Sequence, residues 1–269
     1  MYKRQILGVA LALACFSSLN ANALTETTVK KTETQAAAPN VYWTDGYGRV
    51  SYTTNSIISP VVKIALKEFA GDMKAVTGFD AKEKSGAPIQ IYQLDQLTNK
   101  EFSAVEKLGA PLHLIITAKD AFYIGTRKGK LIVIGSNARG TAYAIMKLSE
   151  LAGVSPLAAW NDLKPAQRKS LYTPVDQQWI EVPRIEFRGL ALNNSQWMKP
   201  QNYSRIARLM LRLRANTLWQ ADGRHEAAYN KAVVDSFDIC VAENYKVTEF
   251  VGKKHKKKHR KTIENVKLV

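Results

Sequence analysis

Two periods alternate along the chain, and the points where one replaces the other outline an α/β order. From Ser59 the period is helical. Val62, Ala65, Leu66, Phe69, Met73 and Val76 share one stripe, with Ser59 as N-cap, Pro60 in the first turn and Gly78 as the stop. Ile89 to Tyr92 and Leu112 to Thr117 are short apolar runs with strand character. Ala121 to Thr126 and Lys130 to Gly135 predict a hairpin turning at Lys128-Gly129. A second helix is predicted from about Ala138 to Ala152, ended by Gly153.

Beyond a stretch carrying Pro165, Pro174 and Pro183, the pattern becomes that of a parallel barrel. Phe187 to Leu192 and Asn216 to Trp219 are runs of the kind buried parallel strands use. Between them Ile206, Leu209, Met210 and Leu213 form a helical stripe, with Arg205, Arg208 and Arg212 on other faces. Asn202 is the predicted N-cap, since Pro200 discourages an earlier start. This is a βαβ step. An eight-fold barrel takes about 250 residues, and 50 residues follow Trp219, so the pattern covers its opening steps only. The expected fold class is α/β: a small α/β sandwich domain followed by the beginning of a (β/α)8 TIM-type barrel.

The predicted organisation is a signal peptide at 1–23, a flexible leader at 24–40, the small α/β domain at 41–160, a linker at 161–183, an incomplete barrel start at 184–247 and a disordered basic tail at 248–269. Lys3 and Arg4, an apolar run from Ile6 to Phe16 and Ala21-Asn22-Ala23 fit a secretory signal cleaved after Ala23. Export to the periplasm or medium is expected, the alternative being a lipoprotein anchored through Cys15. The apolar run is short of the roughly 20 residues a bilayer span needs. After cleavage Cys240 alone would remain, leaving packing rather than a disulfide to hold the fold.

Charge changes the picture less than its total suggests. Of the formal +16, Lys253 to Lys261 supplies seven and Lys3 with Arg4 two, which leaves +7. No nucleic-acid partner is expected. The four histidines, His113, His225, His255 and His259, form no metal-ligand pattern, and no cofactor is expected. The GSNARG turn from Gly135 to Gly140 matches neither a dinucleotide fingerprint nor a P-loop, and reads as helix-to-sheet packing.

The order of IVIGSNARGTAYAIMKLSELAGVSP, a proline-bearing linker, PRIEFRGLALNN and RLMLRLRANTLWQA resembles the amino-terminal half of glycoside hydrolase family 115, the xylan α-1,2-glucuronidases, over roughly residues 50–245. Arg188-Gly189 and Arg214-Ala215-Asn216-Thr217-Leu218-Trp219 carry the resemblance most specifically. The same arrangement occurs in β-hexosaminidases. The resemblance implies an exported enzyme that removes glucuronic acid or its 4-O-methyl form from plant cell-wall glucuronoxylan, with chemistry at the carboxyl ends of the barrel strands. Where the family shows Asn-Asp-Glu after the first barrel strand, this chain has Asn193-Asn194-Ser195. An amide can bond a sugar hydroxyl but cannot act as general base.

Candidate sugar-binding residues are Asn193, Asn194, Trp197, Trp219 and His225. Asn-Asn-Ser is also ordinary turn chemistry, and Trp219 serves equally as a stacking platform or as the plug of a buried strand. Asp222 and Glu226 are the weak catalytic candidates, since two carboxylates about 5 to 10 Å apart can flank a glycosidic bond. A solvated helix start with Asp222 as N-cap explains the same residues. Three functions stay open: the front of a glycoside hydrolase, a non-catalytic carbohydrate-associated remnant of one, or a basic-tailed module that binds anions.

Overall fold

The computed structural model describes residues 39–161, 163–192, 200–220, 228–243, 246–254 and 257–263. The signal positions and the leader up to residue 38 fall outside these residues, while Asn40, the last leader position, already belongs to a strand.

A six-stranded mixed sheet forms the centre of the small domain, in the order β3 (Lys82–Glu83), β2 (Ser51–Thr54), β4 (Ile89–Gln93), β6 (Lys130–Gly135), β5 (Phe122–Arg127), β8 (Gln178–Glu181). Both faces are covered, which is why β5 and β6 read as nearly continuous apolar runs. Helices α1 (Pro60–Thr77) and α3 (Ala138–Leu151) pack over Ile89, Ile91, Ile124, Leu131 and Val133. Across the sheet, Tyr123, Ile132 and Ile134 meet Leu94, Ile115 and Val105, the last from helix α2 (Asn99–Glu106). Neighbours along each strand alternate between the two cores, as a two-residue side-chain period requires.

The local signals hold where a turn or cap fixes them. Gly78 ends α1 at φ +86°. Lys128 and Gly129 both take left-handed φ, +51° and +70°, the two-residue turn whose twist matches a hairpin. A Cβ on Gly135 would overlap Thr141, and one on Gly140 the Ala121 carbonyl, so these glycines let α3 sit close on the sheet. Ser59 differs from expectation. Its hydroxyl accepts from Gln93 Nε2 at 2.7 Å rather than capping α1. Helix α2, which the apolar pattern did not mark, starts in a capping box between Thr98 and Glu101.

Three further expectations are corrected. Leu112 to Thr117 is no strand: Leu112–Leu114 is a single 3₁₀ turn behind Pro111, and only Ile115 of the run is buried. Short apolar runs suit either geometry, and here no neighbouring strand edge is offered to pair with. The stretch 161–183 is more than a linker. Its β8 closes one edge of the sheet by pairing antiparallel with β5, and its β7 (Tyr172–Pro174) pairs with β1 (Asn40–Tyr42). There Trp43, 2% exposed, donates from Nε1 to Thr173 Oγ1 at 2.8 Å. Finally, the backbone of the basic tail is not irregular: β12 (Lys246–Lys254) and β13 (Lys257–Ile263) form an antiparallel pair on the edge of β11 (Cys240–Glu243).

The barrel start holds three parallel strands, one more than the spacing predicted: β9 (Gly189–Leu192), β10 (Thr217–Gln220) and β11, with α4 (Pro200–Arg212) and α5 (Ala228–Ser236) between them. Helix α4 begins at Pro200 and not after Asn202, since a first-turn proline needs no N–H partner. Tyr203, Ile206, Ala207, Met210 and Leu211 are buried in the same core as α1 and α3, while Leu213 is 46% exposed. Arg212, expected on the wet face, is buried. Its guanidinium grips both carboxylate oxygens of Asp72 on α1 at 2.9 Å and reaches Glu68 at 3.2 Å. A planar fork suits such a two-point contact where an ammonium would not.

Candidate functional site

The parallel direction of β9, β10 and β11 gives the barrel start two distinct ends. Arg188, Asn216 and Asp238 stand just before the first residues of these strands, at the amino ends. Leu192, Gln220 and Glu243 close the strands at the carboxyl ends, and the chain after two of them carries the candidates: Asn193, Asn194 and Trp197 follow β9, and Asp222, His225 and Glu226 follow β10. These six residues lie outside the described residues. Trp219 is described. It is half-buried against Cys240 and Ala242 of the neighbouring strand, together with Phe187.

At the amino ends the structure builds a buried polar cluster that sequence reasoning missed. Asp120, 2% exposed, sits in the turn entering β5 with φ +59°. One carboxylate oxygen accepts from Arg139 Nε at 2.7 Å and Asn137 Nδ2 at 3.1 Å. The other accepts from Arg188 at 3.1 Å and Asn216 Nδ2 at 2.8 Å. Four donors thus converge on one carboxylate, two from α3 of the small domain and its cap, two from the barrel start. Burial pushes the Asp120 carboxyl up, but the Arg139 charge and the hydrogen bonds from Arg139, Asn137 and Asn216 outweigh it and hold it below the ordinary range. Arg139 is in turn paired with Asp238 at 3.4 Å, before β11. Burial disfavours its charge, yet Asp238 and Asp120 more than restore it, so the guanidinium stays ionised.

The residues that carried the family resemblance acquire physical roles here. Arg188 donates to the carbonyls of Ile185 at 2.6 Å, Glu186 at 3.2 Å and Arg214 at 3.2 Å, binding the entry of β9 to that of β10. Asn216 accepts the Arg188 N–H at 2.8 Å and donates to the Glu186 carbonyl at 2.7 Å. A Cβ on Gly189 would overlap the Thr217 carbonyl, so only glycine lets β9 and β10 approach this closely. Arg214, at φ +57°, reaches Glu150 at 2.8 Å and Glu181 at 3.0 Å. Tyr143 donates its hydroxyl to the Ala215 carbonyl at 3.1 Å, and burial holds that phenol well above its usual range, in the donor form.

This cluster supports rather than reacts. Both Asp120 carboxylate oxygens are engaged by its four donors, and it lies at the end of the strands opposite the one where barrel enzymes place their chemistry. The signal for it was thin. An acid directly before an apolar strand, Asp120-Ala121-Phe122, and an arginine in the first turn of a helix, Arg139, are both unusual placements, but nothing in the sequence pairs them. Among the described residues no group of histidines, cysteines and carboxylates could hold a metal ion. Among the same residues no helix is long and apolar enough to cross a membrane.

Comparison with known proteins bears on the fold. No protein-family model matches the chain, and no curated protein matches it. Among solved structures, a family GH115 4-O-methyl-α-glucuronidase with specificity for decorated arabinogalactans is 25% identical, with a TM-score of 0.63 over 75% of this chain. A Flavobacterium johnsoniae chitobiase gives 14% identity and a TM-score of 0.49 over 76% of this chain. The chain spans 29% and 32% of the lengths of those two proteins. The fold is glycoside-hydrolase-like: a small α/β domain joined to the opening strands of a TIM-type barrel.

Proposed function

We propose that these residues form the front of an exported glycoside hydrolase resembling the α-glucuronidases, acting on glucuronic-acid-bearing polysaccharides such as glucuronoxylan. The observation that supports this reading most is the Asp120 cluster. It fixes the amino ends of three parallel strands against a small domain and leaves their carboxyl ends for sugar. The likeness to a 4-O-methyl-α-glucuronidase, itself specific for decorated arabinogalactans, supports a carbohydrate substrate. Asn193, Asn194 and Trp197 after β9, Trp219 near the end of β10 and His225 after it are the residues proposed to line the sugar. Export with cleavage after Ala23 belongs to the same proposal, and amino-terminal sequencing of the mature protein tests it.

A second reading, a carbohydrate-associated remnant without catalysis, is favoured by Asn194, where the family carries a carboxylate. Glycoside hydrolysis needs an acid and a second carboxylate held on either side of the bond, and an amide at Asn194 can serve as neither. The polypeptide as given is therefore expected to release no glucuronic acid from glucuronoxylan above background. Fused to the remaining barrel of a related enzyme, with Asn194→Asp, it should gain turnover. Turnover by the unmodified chain that disappears in Asp222→Ala or Glu226→Ala would overturn this reading and place catalysis after β10.

A further inference from the structure

A groove of about 610 Å³ opens at the β3 edge of the small domain's sheet, at the opposite edge from β8, where Glu181 meets Arg214. Arg49, Lys74, Phe79, Lys82 and Lys84 line it, with Asp45 and Asp80 as its acids. Both acids are engaged. Asp45 accepts the N–H groups of Tyr47 and Arg49 at 2.9 Å each, which closes the turn before β2, and Asp80 pairs with Lys74 at 3.8 Å. Among the described residues Arg49, Lys82 and Lys84 make no salt bridge; the Asp45 carboxylate feels the charges of Arg49 and Lys84, and four cations against two carboxylates leave the groove net positive. Lys82 and Lys84 stand two apart at the edge strand and share one face.

Arg49 marks the groove as more than a solvated edge. Its guanidinium lies 5.6 Å from the Tyr47 ring centre and 5.2 Å from that of Phe79, between two aromatic side chains that are 76% and 41% exposed. Lysines at a sheet edge discourage strand pairing in any protein, which accounts for Lys82 and Lys84 but not for a guanidinium held between exposed rings. Cation–π contact with both rings holds the guanidinium near them, and an exposed guanidinium has N–H groups to give a carboxylate. The Phe79 ring beside it offers an apolar face of the kind the C–H side of a pyranose covers. Carboxylate recognition and ring stacking within one groove describe an acidic sugar.

We propose that this groove is a second carbohydrate site, which binds uronic-acid-bearing oligosaccharides by seating the carboxylate on Arg49 with Lys82 and Lys84 and the sugar ring on Phe79. The preference for an anionic sugar rests on the groove itself. The choice of uronic acid over other anionic sugars rests on the glycosidase reading above.

Titration calorimetry of the full chain tests it, with glucuronic-acid-substituted xylotetraose, neutral xylotetraose and a sulfated κ-carrageenan tetrasaccharide as probes. The acidic xylo-oligosaccharide should bind at least about tenfold more tightly than the neutral one, the scale of one charge-assisted contact. Arg49→Gln, and separately Lys82→Gln with Lys84→Gln, should each weaken it by about tenfold, with melting temperatures unchanged because these side chains are exposed. Phe79→Ala should weaken both the acidic and neutral sugars. Equal affinity for acidic and neutral probes, binding indifferent to Arg49→Gln, or no binding at all would overturn the site. Binding of the carrageenan fragment alone, which is anionic but carries no uronic acid, would overturn the uronic-acid assignment. Because binding is read without hydrolysis and far from the barrel strands, its failure leaves the turnover experiment standing, and a failed turnover experiment leaves the groove standing.

Discussion

Replacing Asp120 with Asn removes one charge from the joint between the small domain and the barrel start while keeping its shape. Asparagine tolerates the left-handed backbone that Asp120 adopts at φ +59°, so the substitution adds little strain of its own. What it removes is the anion between two guanidinium groups. Breaking a buried pair by removing one partner costs about 3 to 5 kcal/mol. Arg139 keeps Asp238 at 3.4 Å, and Arg188 keeps three carbonyl acceptors, which places the expected loss near the lower figure, about 3 kcal/mol. For a chain of this size that is a fall of roughly 6 to 12 °C in melting temperature. Circular dichroism melts of parent and Asp120→Asn would show it. The pH dependence has a defined sign. The folded carboxyl lies below its unfolded value of about 3.9. Its contribution is therefore complete above that value and disappears as pH falls through the folded pKa, so the gap between parent and variant should narrow under acid. A double-mutant cycle with Arg188→Gln should return a coupling energy well above the few tenths of a kcal/mol expected of independent sites. A variant melting within about 1 °C of its parent at neutral pH, where an exposed pair would leave it, would refute the assignment of Asp120 as the joint.

Gly189→Ala should cost about 3 kcal/mol, because the new methyl meets the Thr217 carbonyl and backbone on both sides leaves nothing flexible to yield. Hydrogen exchange should show faster exchange along β9 and β10 with α3 unaffected; unchanged protection would exclude the close approach. Thr98→Ala should lower stability in urea by about 1 kcal/mol through loss of the capping box on α2. Hydrogen bonds from Ser56 and Thr98 hold the Glu101 carboxyl down to about 2, so Glu101→Gln should destabilise at neutral pH and the difference should vanish as pH falls toward that value. A gap that persists at pH 2 would contradict it.

The parts of this fold legible in the sequence are those fixed within a few residues. The α1 stripe with Pro60 and Gly78, the Lys128-Gly129 turn and the Gly135 to Gly140 packing each carry their cause locally. So does the βαβ step, apart from its starting residue. What escaped depended on distant partners. Leu112 to Thr117 had strand composition but no edge to join, whereas Gln178–Glu181 had little apolar periodicity and joined β5 because that edge was open. Arg212 looked solvated since Asp72 lies 140 residues earlier. The Asp120 cluster draws on four separate segments, and only the Arg188-Gly189 and Asn216-Thr217 motifs hinted at it. Of the candidate site, Trp219 alone falls among the described residues, and its packing against Cys240 and Ala242 gives the plug role a structural basis.

The pairing of β1 with β7 has a temporal consequence. Trp43 finds its hydrogen-bond acceptor on Thr173, 130 residues further along. A ribosome adding about 5 to 20 residues per second therefore leaves this indole uncovered for roughly 7 to 26 seconds after it is made. Until then the nascent small domain has its hairpin and three helices but lacks the strand that seals its first one. The small domain is obliged to stay open until Thr173 has been made, the state in which a polypeptide is handed to chaperones or threaded through a narrow pore.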